Sequence, residues 1–212
     1  EDRNKIYWSM NDTIAKLHNA DFKSIGLSDY GKYENYMARQ IARWSKQYKD
    51  SETTLIPEMD NLIEWLPQNI PPGEETSIVH GDFRLDNMVF DKNSNEVIAI
   101  LDWELSTLGH PIADFTYHMM TWRMPLGVQG IGILGANLDE LNIPNENEYA
   151  EAYYQKTNRN EIHNWDFFLA YNMFRLAGIT EGIAGRVRDG TASSDQAKQY
   201  GAFVPILSQM AW

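Results

Sequence analysis

Between His80 and Asn87 the chain reads His-Gly-Asp-Phe-Arg-Leu-Asp-Asn, and Asp102-Trp103-Glu104 follows a short way on. Carboxylate, guanidinium, amide and carboxylate come in the order that phosphoryl transfer from a nucleotide requires. Such transfer is mostly positioning and charge neutralisation. It needs a base beside the acceptor hydroxyl, and Asp82 is the candidate. It needs oxygen ligands for Mg²⁺, a role that Asn87 and Asp102 fit. It gains from a cation beside the transferring group, and Arg84 lies two residues past Asp82. A guanidinium grips phosphate bidentately where an ammonium acts as a point charge. A general base typically contributes roughly 10²–10⁴-fold in rate, and the metal and cation stabilise further charge.

Taken singly, these residues have plainer readings. Asp82 and Asp86 suit an Asx-rich turn, Arg84 suits a surface pair with Asp86, and Asp102 suits a helix cap. Their order together is harder to explain that way. At average composition His-x-Asp-x-x-x-x-Asn arises by chance roughly once in a hundred chains of this length.

The elements that must position these groups are short strands. Ser77-Ile78-Val79 leads into the loop and Met88-Val89-Phe90 leads out. The run Val97 to Leu101 delivers Asp102, after a polar turn at 91–95. The expectation is a loop from Asp82 to Asn87 closed by a β-ribbon, with Asp102 at the end of the next strand.

His80-x-Asp82-x-Arg84-x-x-Asn87 resembles the catalytic loop of the protein-kinase-like fold. His80-Gly81-Asp82 is similar to its form in the aminoglycoside phosphotransferase (choline kinase-like) superfamily, and Asp102-Trp103-Glu104 to that superfamily's metal-binding Asp motif. The stretches 39–44, 101–114, 174–179 and 182–186 resemble one branch. It holds bacterial phosphotransferases and the kinase-like domain of acyl-CoA dehydrogenase family members ten and eleven.

The resemblance implies ATP and Mg²⁺ as cofactors, Asp82 and Arg84 as catalytic groups, and Asn87 and Asp102 as metal ligands. Glu104 would stand behind the metal or cap a helix. It implies a structural His80, and an Asp114 that accepts hydrogen bonds from the loop; the plainer reading of Asp114 is a helix N-terminal carboxylate. His110 either approaches substrate or fills a turn. Trp122, Arg123, Arg175, Glu181, Arg186 and Arg188 fall in the region that shapes acceptor choice in the superfamily. Arg175 and Arg186 sit in an apolar helix, where a buried Arg is usually paired with a carboxylate. Glu181 stands where the branch usually has Gln.

Composition sets bounds. The 212 residues are 43% hydrophobic, with 7 Trp, 11 Tyr and 8 Phe, enough for one sizeable core or two small ones. The absence of cysteine excludes disulfides and thiolate metal sites and fits a cytoplasmic protein. A net charge of −12 argues against nucleic acid as partner. It also means that any nucleotide site must compensate locally. No apolar run reaches transmembrane length, so no membrane partner is expected. The sequence does not indicate an oligomeric state.

Apolar spacing predicts helices over 6–18, 33–48 and from Pro57 to about Pro67, then over 114–123, 146–156, 165–188 and 194–209. Residues 124–135 are Gly-rich and without period. The fold class expected is α+β: the mostly helical carboxy-terminal lobe of a kinase-like fold with a small β-ribbon at the catalytic loop. Its parts would be 1–76 (helical), 77–104 (catalytic loop and metal-binding insert) and 105–212 (helical, substrate side). The resemblance further implies that the amino-terminal β lobe, about a hundred residues, is not part of this sequence, and that the fragment alone is inactive.

The function expected is transfer of a γ-phosphoryl group to the hydroxyl of a small molecule, a hydroxyacyl compound or other small alcohol before an aminoglycoside. The alternative is a non-catalytic nucleotide- or partner-binding domain of the same fold. A metal-dependent phosphohydrolase is a third reading, with His80, Asp82, Asp102, His110 and Asp114 as ligands.

Overall fold

In a computed structural model, residues 2–159, 163–191 and 200–212 are described. The elements are α1 (Asp2–Asn19), α2 (Tyr36–Ser51), α3 (Pro57–Gln68), β1 (Ser77–Val79), β2 (Met88–Phe90), β3 (Val97–Ile100), β4 (Thr107–Gly109), α4 (Pro111–Met119), α5 (Leu138–Leu141), α6 (Glu146–Lys156), α7 (Trp165–Arg188) and α8 (Val204–Ala211). The class is α+β, helical with two small antiparallel sheets. No helix among the described residues is long and apolar enough to cross a membrane.

The three Val/Ile runs are strands, but they do not form one ribbon. β1 pairs with β4, Ile78 facing Leu108, and β2 pairs with β3, Met88 facing Ile100. The catalytic loop therefore joins two sheets. β4 has only Thr-Leu-Gly to announce it, and its strand character comes from its distant partner. The expected helix over 114–123 starts earlier, at Pro111. His110 caps it by accepting from the Ile112 amide, and a proline suits the first helical position. The helix ends at Met119 and tightens into a 3-10 turn, Met120–Trp122. α3 ends at Gln68, close to the expected stop, with Pro67 in its last turn. The predicted helix over 194–209 is seen in part: 194–199 lie outside the described residues, and α8 occupies 204–211.

Contacts divide the chain into two compact units, each discontinuous in sequence. The first comprises 1–34, 74–127 and 131–163. Its core is aromatic. The rings of Phe115 and Tyr153 stack at 3.7 Å, and Trp122 lies 4.9 Å from Tyr149. Such pairs add about 0.5–1.5 kcal/mol each beyond the area they bury. α1 packs on β1, β3 and α6, and α4 packs on β1.

The second unit comprises 35–73, 128–130 and 164–212. Here the stripe Met37, Ile41, Trp44 and Tyr48 of α2 is buried, as its spacing requires. α7 packs on α2 and α8. At Gly185 a Cβ would stand 3.1 Å from both the Cβ and the carbonyl oxygen of Ser51, so glycine permits this close approach.

Candidate active site

The site lies in the first unit and is built on the segment from β1 to β2. Gly81 takes a left-handed φ of 85°, and a Cβ there would stand 2.7 Å from the Leu105 carbonyl oxygen. Only glycine suits both demands. The turn after β1 is thus pressed against the segment that carries Asp102-Trp103-Glu104.

Asp114 fixes the turn from the other side. Its Oδ2 accepts from the His80 amide at 2.8 Å and its Oδ1 from the Gly81 amide at 2.8 Å. His18 Nε2 lies 3.2 Å from the same Oδ2, and His18 Nδ1 lies 2.6 Å from the Tyr153 hydroxyl. Burial pushes the Asp114 carboxyl up, but His18 and the two amides outweigh it and hold the group below the usual carboxylate range. His80 is fully buried. Its Nε2 lies 2.9 Å from the Leu101 carbonyl oxygen, its Nδ1 accepts from the Asp82 amide at 3.2 Å, and its ring meets that of Trp103 edge-on at 4.9 Å. One imidazole thereby ties the loop to the segment carrying Asp102.

Asp82 projects from this frame with its side chain 20% exposed. Its Oδ2 accepts from Asn87 Nδ2 at 2.9 Å, and its Oδ1 accepts from the Tyr117 hydroxyl at 2.8 Å. Asn87 Nδ2 also donates to the Asp82 backbone carbonyl at 2.9 Å. Both bonds engage the amide nitrogen of Asn87, not its Oδ1. Arg84 Nε lies 3.8 Å from Asp82 Oδ1 and 2.8 Å from Asp86 Oδ1, and a second nitrogen of the guanidinium also pairs with Asp86.

The Leu101 amide donates to the Asn87 carbonyl at 2.8 Å, which carries the β2–β3 pairing one step further and sets Asp102 beside the loop. Asp102 has a left-handed φ of 63° and precedes the 3-10 turn Trp103–Leu105. Every other described non-glycine residue with positive φ is an asparagine. Its carboxylate makes no capping bond to that turn, so the helix-cap reading of Asp102 fails. An exposed carboxylate and an amide oxygen suit Mg²⁺, which takes few protein ligands and completes its shell with water and phosphate. Among the described residues no group of three or more His, Cys, Asp or Glu side chains is placed to hold a metal. The hydrolase reading needed such a cluster, and two of its five ligands are committed elsewhere: Asp114 to the loop amides, and His110 to the cap of α4.

Most of the remaining candidates have local partners. Glu104 is exposed in the 3-10 turn. His110 accepts from the Ile112 amide at 3.3 Å, and burial lowers its pKa to about 4. Arg123 pairs with Glu146 at 2.6 Å. Arg175 and Glu181 belong to the second unit: the Arg175 guanidinium lies over the Trp44 ring at 5.3 Å, and Glu181 accepts from the Thr53 amide at 2.5 Å. Arg188 pairs with Asp189. Tyr117 and His18 escape a reading of the sequence. The one signal for Tyr117 is its place three residues past Asp114, on the same face of α4.

Comparison with known proteins identifies the family and the fold. A structure from Ralstonia eutropha described as a putative aminoglycoside phosphotransferase is 52% identical, with a TM-score of 0.96 over 100% of this chain and 64% of that one. An ethanolamine kinase from Plasmodium vivax is 12% identical with a TM-score of 0.59, over 98% of this chain and 59% of that one, which shows a shared fold alone. The fold is kinase-like. The chain belongs to the phosphotransferase enzyme family, whose profile matches residues 1–156. Acyl-CoA dehydrogenase family member 10 of Mus musculus is 39% identical over 211 residues, 99% of this chain. The chain spans 20% of that protein's length.

Proposed function

We propose that the chain carries the catalytic loop of an ATP-dependent phosphotransferase that moves the γ-phosphoryl group to a small-molecule hydroxyl. Hydroxyacyl compounds and other small alcohols are favoured over aminoglycosides as acceptors. The observation that carries this reading is the state of Asp82. Its carboxylate is held at one oxygen by Asn87 and at the other by Tyr117. An ionised carboxylate has about four lone-pair sites, so room remains to accept a proton.

In this reading the acceptor hydroxyl gives its proton to Asp82 as its oxygen attacks the γ-phosphorus. The new O–P bond forms while the bond to the β-bridging oxygen breaks, and that electron pair leaves with ADP. Asn87 Oδ1 and Asp102 would hold Mg²⁺. When bound, the metal supplies charge neutralisation at the phosphate oxygens. Arg84 neutralises the transferring group after exchanging Asp86 for phosphate. The Asp86 side chain is 59% exposed. A surface pair of that kind contributes about 0–1 kcal/mol, so the exchange costs little. A cytoplasmic location, where ATP is abundant, belongs to the same proposal.

Asp82→Asn tests it. In the full-length protein kcat should fall by roughly 10²–10⁴-fold, with nucleotide affinity nearly unchanged, because the base acts on the acceptor. Turnover close to wild type would remove Asp82 from the role of base.

A further inference from the structure

The buried hydroxyl of Tyr117 has no part in the roles assigned above, yet it meets the proposed base directly. Tyr117 is 4% exposed, and its hydroxyl donates to Asp82 Oδ1 at 2.8 Å. It stands on α4 one helical turn past Asp114, whose carboxylate takes the amides of His80 and Gly81. One rigid helix thus grips the loop twice, at its backbone through Asp114 and at its reactive side chain through Tyr117. Residues three apart on a helix share a face, so the two grips keep a fixed spacing.

We infer that Tyr117 is a positioning residue: through its bond to Oδ1 it fixes the rotation of the Asp82 carboxylate, so that the free lone pairs face the acceptor. This rests on the reading of Asp82 as base. Asn87 alone leaves the carboxylate one donor, about which it can swing. Two donors on different oxygens define its plane. Arg84 Nε, at 3.8 Å from Oδ1, is beyond hydrogen-bonding reach and does not replace the hydroxyl. A small misplacement at such a centre is costly, because reacting groups must stand about 3–3.5 Å apart in line.

The test is Tyr117→Phe in the full-length protein, beside wild type and Asp82→Asn. The probe is Mg·ATP with water and short-chain hydroxy acids as acceptors, read as ADP release. Phe keeps the ring packing, and a thermal melt confirms the fold. The expected result is a fall in kcat of about tenfold, the effect of losing one hydrogen bond to a charged group, with KM for Mg·ATP unchanged. In the Asp82→Asn background, where the carboxylate is already gone, Tyr117→Phe should cost little further activity, since the two residues act as one pair. An unchanged kcat overturns the inference, and so does an equal fall in the Asp82→Asn background, which marks a packing role. If Asp82→Asn turns over like wild type, or wild type releases no ADP, the base reading fails and takes this inference with it. A dead Asp82→Asn beside an unaffected Tyr117→Phe overturns the positioning alone.

Discussion

At the scale of single residues, the loop shows how a few groups serve several bonds. His80 receives the Asp82 amide on one nitrogen and meets the Leu101 carbonyl with the other. Asn87 holds both the carboxylate and the backbone carbonyl of Asp82 with its one amide nitrogen. Asp102 is the contrasting case, an exposed carboxylate with left-handed backbone and no capping bond. Non-glycine residues in that region cost of order 1 kcal/mol or more, and such positions gather at functional sites. If Asp102 holds Mg²⁺, then Asp102→Ala weakens Mg·ATP binding and turnover together, because the same oxygens position the phosphates. Calorimetric titration of Mg·ATP checks this. An unchanged Mg²⁺ dependence would place Asp102 outside the site.

At the scale of elements, α4 sets the site, and it buries its polar groups to do so. Burial lowers the pKa of His110 to about 4, against the pull of Glu75, and that of His118 to about 4, against the pull of Asp114. Both imidazoles are neutral in the folded chain near neutral pH. Between pH 6.5 and about 4 the unfolded chain binds the extra protons, so stability is full above 6.5 and is lost as pH falls through that window. Each group removes up to roughly 1.4 kcal/mol per pH unit there. Asp114, held below its usual range, adds to the loss at lower pH. Urea unfolding at stepped pH should show a plateau above 6.5 and a steep fall below it. A flat profile down to pH 4 would contradict this account of α4.

The elements also show what the sequence could and could not reveal. The stripe of α2 and the strands at 77–79, 88–90 and 97–100 follow from local pattern, and the structure contains them. The five-residue span from Asp82 to Asn87 across a turn already brings those two side chains within reach. The pairing of β1 with β4 was not legible, because it joins segments some thirty residues apart through a strand with no β-branched run. His18 and Tyr117 were hidden for the same reason. Their partners lie 96 and 35 residues away, and the only local mark is the place of Tyr117 three residues past Asp114.

At the scale of the whole molecule, the chain is 64% of the length of the Ralstonia eutropha relative and 20% of the mouse one. Among the described residues no strand carries a lysine that follows a Gly-rich loop. Donors of that kind contribute several kcal/mol of transition-state stabilisation when preorganised. If such donors are supplied by a longer chain, the 212 residues by themselves should transfer phosphate far more slowly than that chain. Side-by-side phosphotransfer assays check this, and comparable rates would show that the loop of Asp82 needs no further chain.

The central claim, that this loop performs phosphoryl transfer, has a direct measurement. The full-length protein is incubated with γ-labelled ATP, with and without Mg²⁺, and a panel of hydroxy acids, hydroxyacyl-CoAs, small amino alcohols and aminoglycosides. The account predicts Mg²⁺-dependent appearance of label on the hydroxyl of at least one small alcohol, abolished in Asp82→Asn. Nucleotide binding without transfer of label to any acceptor in the panel would contradict it, and would make the chain a binding domain on a kinase-like fold.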